Sequence, residues 1–296
     1  MKVYEIVTNK IIEELEKGNI PWQQPWKNKK PKNIDGREYS GINLLLLSTA
    51  PYSCPIWATM KQINERKGKV KKGEKAWMVI FCKPVYILPD EIEKELKERN
   101  IDPETALAEG LIDESIVEVK WTLRYYYIFN LEQTTLDIEK YWQSSGNNQT
   151  IEKAEQIVKN MPDPPEIVFK GNKAFYCLSK DKIYMPPRHL FISSEEYYST
   201  LFHELVHSTG HEKRLKRKSI TSKAHFGSKL YSLEELIAEI GSAFLCAEAG
   251  IEKTIKNQAA YIKHWLKVLK NDKRMIIFAA GKAQKAVDYV LNKKRS

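Results

Sequence analysis

Five residues, His203-Glu204-Leu205-Val206-His207, constrain this chain more than any other stretch. In a strand, histidines four apart would stand about 13 Å from each other along the chain axis. In a helix they sit one above the other, separated by about 6 Å of rise, and can present two imidazole nitrogens to one ion. The surroundings predict a helix. Ser193 and Glu196 have the spacing of a capping box, Tyr198, Leu201, Phe202, Leu205 and Val206 make an apolar side, and Gly210 supplies a stop. A helix with that apolar flank is buried, and histidines inside it need a partner. Glu204, next to the first histidine, is placed to take a proton from a water that the ion activates, the general-base role of this motif.

A catalytic site of this kind needs a third protein ligand and one position left for water. A third histidine six residues beyond His207 would be one solution, but position 213 is Lys213. His211 follows a chain reversal, and His225 sits in a loop. The strongest candidate is Glu235, in the run Glu234-Glu235-Leu236-Ile237-Ala238-Glu239 after Tyr231. Glu235 and Glu239 share a helix face, so the first can bind the metal while the second braces a ligand histidine. Glu234, Glu239 and the remaining histidines stay open as alternatives. Tyr231 and His225 are the candidates to stabilise an oxyanion. The implied cofactor is Zn2+ or another divalent ion such as Mn2+.

Charge divides the chain into unlike pieces. Residues 1–88 carry 16 basic and 8 acidic side chains, a net +8, whereas residues 89–118 carry 3 and 11, a net −8. Residues 119–150 balance, and residues 151–296 hold 26 and 16, a net +10. Basic bodies invite polyanions, nucleic acid first. The N-terminal half also interleaves aromatic rings with cations and amides: Trp22, Trp26, Tyr39 and Trp57 with Lys61, Gln62, Lys69, Lys71, Lys72 and Lys75. Rings that stack on bases and lysines that meet phosphates are how single strands are held without sequence preference.

The organisation predicted is α+β in two domains, residues 1–146 and 151–296, joined by the polar stretch 144–150. Helices are expected near 3–15, 41–49, 59–67, 232–249, 252–271 and 273–292, and strands at 173–178 and 182–186. The acidic segment 89–118, with its own short helices, reads as an insertion between two strand patterns, 76–88 and 116–130, which pair once it is set aside. Cys54, Cys82, Cys177 and Cys246 are far apart and read as reduced core thiols. No apolar run approaches the ~20 residues of a membrane span, and the first residues lack a secretion signal's pattern, so a cytoplasmic location is expected.

These motifs together resemble the ArdC antirestriction family over nearly the whole chain. The first half is similar to its N-terminal single-stranded-DNA-binding domain through Pro21-Trp22, Pro25-Trp26, Asn33, Tyr39, Gly41-Ile42-Asn43, Trp57, Lys61-Gln62 and Val70-Lys71-Lys72-Gly73-Glu74-Lys75. A similar module precedes some plasmid primases. The second half resembles its zincin-like metallopeptidase domain through residues 203–211, Arg214-Leu215, Phe226-Gly227, Tyr231 and residues 234–239. The resemblance adds Asn43 to the DNA-binding candidates. It implies carriage on a mobile element, single-stranded DNA as partner, and protection of incoming DNA from restriction. The acidic segment is longer than the family leads one to expect. Three functions are compatible with these residues: a DNA-binding peptidase acting on a host protein, a DNA-coating protein with a structural or idle metal site, and a regulatory peptidase that cleaves a repressor.

Overall fold

Val7, Ile11, Ile12 and Leu15, spaced by three and four, form the buried stripe of α1 (Val3–Glu16), and Gly18 at φ +88° closes it in the left-handed conformation that a side chain resists. The computed structural model describes residues 3–22, 30–108, 111–113, 117–142, 150–171, 173–191, 193–221, 229–251 and 258–293. The fold is α+β. After β1 (Lys32–Asn33) come α2 (Ile42–Ser48), β2 (Ile56–Ala58) and α3 (Met60–Glu65). Thr59 caps α3 reciprocally: its hydroxyl accepts from the Gln62 N–H at 3.3 Å, and the Gln62 side chain accepts from the Thr59 N–H at 2.8 Å. Then follow β3 (Trp77–Ile87), α4 (Asp90–Glu98), α5 (Pro103–Ala108) and β4 (Glu118–Asn130). The four strands are ordered β1-β2-β4-β3, so the two strand patterns flanking the acidic segment are neighbours.

The chain divides into two compact units, Met1–Trp77 with Tyr127–Ser296, and Met78–Tyr126. The second has its own small core of Leu88, Leu96 and Ala106, with Ile92, Ile101, Ile112 and Val117 against it. Asp90, Glu91 and Glu93 occupy the first turn of α4 and Lys97 its last, which suits the helix dipole at both ends.

The first unit holds the rest. α6 (Thr150–Lys159) leads to a three-stranded sheet, β5 (Glu166–Phe169), β6 (Phe175–Cys177) and β7 (Lys182–Met185), ordered β5-β7-β6. β6 lies antiparallel to β7 at one edge, and β5 lies parallel to it on the other side. β5, just behind a Pro-Pro pair, is a strand the sequence pattern does not announce. α7 (Ser194–Ser208) is capped by Ser193, whose hydroxyl accepts from the Glu196 N–H, and packs on β6 and β7. Leu201, Phe202, Leu205 and Val206 are all buried on it, each such burial contributing about 1.5–3 kcal/mol. The deeply buried Arg214 donates to the Asp181 carboxylate and to the carbonyls of Asp163 and Ser208, both at 2.8 Å, tying the β6–β7 turn to the end of α7.

After α8 (Lys218–Thr221), the long α9 (Lys229–Ala249) crosses α7. Gly241 permits the close approach, since a Cβ there would stand 2.8 Å from a Val206 methyl. α10 (Gln258–Asn271) and α11 (Met275–Val290) complete the helical layer, with α1 against both and α2 against α11. Thr8 donates to the Lys273 carbonyl at 2.5 Å and the Gly41 N–H to Gln284 at 3.1 Å, so residues from both ends of the sequence share one core. Among the cysteines, all free, Cys54 and Cys246 are buried as expected, whereas Cys82 is exposed and Cys177 only half-buried, which corrects the reading of all four as core thiols. No helix among the described residues is long and apolar enough to cross a membrane.

Candidate metal centre and nucleic-acid surface

The α7–α9 crossing sets opposite each other the side chains that the sequence pairs only by spacing. His203 and His207 approach through their Nε2 atoms at 3.1 Å. The Glu235 carboxylate lies 3.7 Å from His203 Nε2 and 3.5 Å from His207 Nε2. A ligand atom from each of the three falls within 4.8 Å of the others, and among the described residues no other group of three or more His, Cys, Asp or Glu does so.

Each histidine has a carboxylate behind it. His207 Nδ1 is 3.3 Å from Glu234 Oε1, and His203 Nδ1 is 3.8 Å from Glu239 Oε1. Glu234 is buried but receives two donations from Arg217 and one from Ser219, the latter at 2.6 Å. Burial alone would raise its pKa; the contacts with His207 and Arg217 win and push it down to about 2. An ionised carboxylate only accepts, so His207 carries its proton on Nδ1 and directs the Nε2 lone pair inward. Burial disfavours a charged His207, yet Glu234 beside it holds its pKa above the ordinary value. Glu235 is likewise drawn down, its desolvation outweighed by His203 and His207.

These residues fit a small divalent ion. Two ring nitrogens this close need something between them, a shared proton or a cation, and a divalent ion would join both to the Glu235 carboxylate as well. Tetrahedral bonds of about 2.0–2.1 Å would place donors about 3.4 Å apart, and the observed separations of 3.1, 3.5 and 3.7 Å bracket that figure. The donor set faces a cleft of about 480 Å³, lined also by Glu204, Tyr231, Ser219 and the β6 residues Phe175 and Tyr176. Glu204 is buried at the wall of this cleft. Burial, together with the nearby Glu235 carboxylate, raises the pKa of the Tyr231 hydroxyl.

Two expectations shift. Glu234, open in the sequence as an alternative ligand, stands behind His207 instead, and Arg217, which sequence reasoning missed, is its counter-ion. His211 faces Asp181 at 4.0 Å and lies outside the group of three ligands, and His225 lies outside the described residues.

The N-terminal candidates separate sharply. Lys61, Lys69, Lys71, Lys72 and Lys75 are exposed. Trp22, Tyr39 and Trp57 are buried, at 0%, 4% and 2% exposure, so their rings offer no face for stacking. That corrects the sequence expectation: the same aromatic character that suits a base also suits a core, and here the core takes them. Gln62 spends its amide on Asn33, Asp35 and the α3 cap, and Asn43 is half-buried. Trp26 lies outside the described residues. Tyr52 and Trp77, which the sequence reading did not single out, are half-buried and edge-to-face with Trp57, at 5.8 and 6.1 Å between ring centres. They open on a groove of about 400 Å³ that also has Lys10 and Lys75 on its walls.

A helix bearing both histidines, a crossing helix bearing the carboxylates and a small sheet alongside define a zincin-like metallopeptidase domain. The family model of that description matches residues 152–282, and the model of the N-terminal domain of anti-restriction factor ArdC matches residues 1–129. The crystal structure of the metal-free antirestriction protein ArdC from plasmid R388 is similar over the full length of both chains, at 30% identity and a TM-score of 0.74. Its Mn(II)-bound structure covers 99% of this chain and 98% of that one, at 31% identity and a TM-score of 0.73. The chain belongs to the ArdC antirestriction family. It is also 33% identical over 295 residues to a DNA primase TraC of Escherichia coli, matching 97% of this chain but only 20% of the primase. An uncharacterized protein, y4eC, of Sinorhizobium fredii (strain NBRC 101917 / NGR234) is 29% identical over 299 residues and matched over 91% of its length.

Proposed function

We propose that this chain is a divalent-metal peptidase that binds single-stranded DNA and protects incoming DNA of a mobile element from restriction in the cytoplasm. The convergence of His203, His207 and Glu235 on one point carries the reading. A zinc or manganese ion held there supplies Lewis acidity and a water acidic enough to be deprotonated near neutral pH. Glu204 takes the proton of the attacking water and passes it to the leaving amine. Tyr231 donates its hydroxyl to the oxyanion that develops on the scissile carbonyl. β6, paired among the described residues only with β7 and lining the cleft, has an edge on which an extended host peptide can lie as an added strand.

The DNA-binding part rests on the exposed lysines between Lys61 and Lys75. Tyr52 and Trp77, beside Lys10 and Lys75, take the stacking role that burial denies to Trp22, Tyr39 and Trp57. Replacing Lys71 and Lys72 by Ala is expected to flatten the salt dependence of single-strand affinity, each lost phosphate contact lowering the slope by about 0.7. An unchanged slope would take those lysines off the DNA surface. A transfer experiment separates the two activities: unmethylated plasmid is moved into restricting cells carrying wild type, Glu204→Gln or Lys71→Ala/Lys72→Ala. Loss of protection with Glu204→Gln, at unchanged DNA affinity, is the expected result. Full protection with Glu204→Gln would leave DNA coating as the mechanism and the peptidase idle.

A further inference from the structure

Glu239, whose Oε1 stands 3.8 Å behind His203 Nδ1 at ion-pair range and not hydrogen-bonded to it, is itself held from the far side. Tyr261, on α10, donates its hydroxyl to Glu239 Oε2 at 3.0 Å, and Trp22 donates its indole N–H to the Tyr261 oxygen at 2.7 Å. The direction of this network is fixed by chemistry. An indole nitrogen only donates, a carboxylate only accepts, and the tyrosine hydroxyl between them must do both. Trp22 is fully buried and sits edge-to-face with Trp265, which also meets the Tyr261 ring. A few residues on, Lys30 reaches α9 through Glu248 at 3.1 Å. The N-terminal segment is thus pinned at Trp22 and again at Lys30, on the helices that carry or support the metal ligands.

From this we propose that Tyr261 and, through it, Trp22 are positioning residues for the metal site, so that a side chain of the N-terminal half sets the affinity of a centre built in the C-terminal half. The inference rests on the metal-binding reading above. Tyr261 donates to Glu239 Oε2 directly, and Trp22 fixes that hydroxyl in turn. The other Glu239 oxygen, Oε1, then stays directed at His203 Nδ1 and keeps the Nε2 lone pair aimed at the ion. Trp22, an expected DNA-stacking residue, acquires a different role, in which its indole N–H holds the far end of a network whose carboxylate, Glu239, stands 3.8 Å behind a metal-ligand candidate.

The test uses the full chain and Mn2+ as the probe. Calorimetric titration of wild type, His203→Ala, Tyr261→Phe, Trp22→Phe and the Tyr261→Phe/Trp22→Phe pair is run beside thermal unfolding of each metal-free protein. Tyr261→Phe removes one oxygen and keeps the ring, and is expected to weaken Mn2+ binding about 10-fold while metal-free unfolding moves little. Trp22→Phe is expected to weaken it less, and the pair no more than Tyr261→Phe alone, because Trp22 acts through that hydroxyl. A merely structural role would lower metal-free stability and leave affinity intact. Wild-type affinity in Tyr261→Phe, with binding abolished in His203→Ala, would overturn the positioning role and leave the metal site standing. Retained binding in His203→Ala would overturn both. Should Trp22→Phe fail to fold, Tyr261→Phe decides alone.

Discussion

The two histidines are braced in opposite ways. His207 has behind it a charged, local assembly: Glu234, Arg217 and Ser219, all within 28 residues of sequence and all buried. His203 has a long-range one, a carboxylate held through two uncharged side chains in series: Glu239, Tyr261 and Trp22, whose first and last members are 217 positions apart. A buried ion pair is costly to desolvate and is held only by good geometry, so breaking it leaves an uncompensated charge. Removing an uncharged donor such as the Tyr261 hydroxyl costs less than removing a buried counter-ion. One arm therefore fixes the fold around the site as well as the ligand, while the other tunes the ligand alone.

The largest expected effect removes the end of an arm. His203→Ala or His207→Ala should abolish stoichiometric Mn2+ binding in calorimetry, whereas Glu204→Gln should leave it nearly intact, since the role proposed for Glu204 is on water and not on the ion. Retained binding in either histidine variant would dissolve the comparison. Next, Arg217→Ala strands the buried Glu234 and should cost about 3–5 kcal/mol in urea unfolding. The same measurement on Tyr261→Phe should show a far smaller loss. Equal losses would mean that the arms do not differ in kind.

Acid sharpens the contrast. In the metal-free protein Glu234 titrates near 2 instead of near its ordinary 4.5. Its folded pKa is depressed, so its contribution is complete above about pH 4.5 and is lost as pH falls through 2. Stability measured across that window should fall less steeply in Glu234→Gln than in wild type. At the small end, Tyr261→Phe should leave the acid profile unchanged, because nothing on its arm contacts Glu234.

Much of the site was legible because helical spacing is a local property. His203, His207, the neighbouring Glu204 and the acidic run on α9 all follow from the 3.6-residue period, and the Glu235–Glu239 pairing predicts which carboxylate faces the ion and which stands behind. Glu234 was harder, since adjacent residues point about 100° apart and only the α7–α9 crossing, set by Gly241 against Val206, shows which histidine each meets. Arg217 carries one faint signal, a cation in a short segment between the two helices. Trp22 and Tyr261 carry none, because their meeting depends on how the chain's two ends pack. The aromatic residues of the first half show the converse failure: composition suited them equally to bases and to a core, and burial decided.

The most direct test is anomalous diffraction from crystals of the protein soaked in Mn2+, recorded at the manganese edge. The expected map has one strong peak per chain, bonded to Nε2 of His203, Nε2 of His207 and the Glu235 carboxylate, with Glu234 and Glu239 still facing the Nδ1 atoms. A peak on Glu234 or Glu239 in place of Glu235, or no peak between the two histidines, would contradict the site.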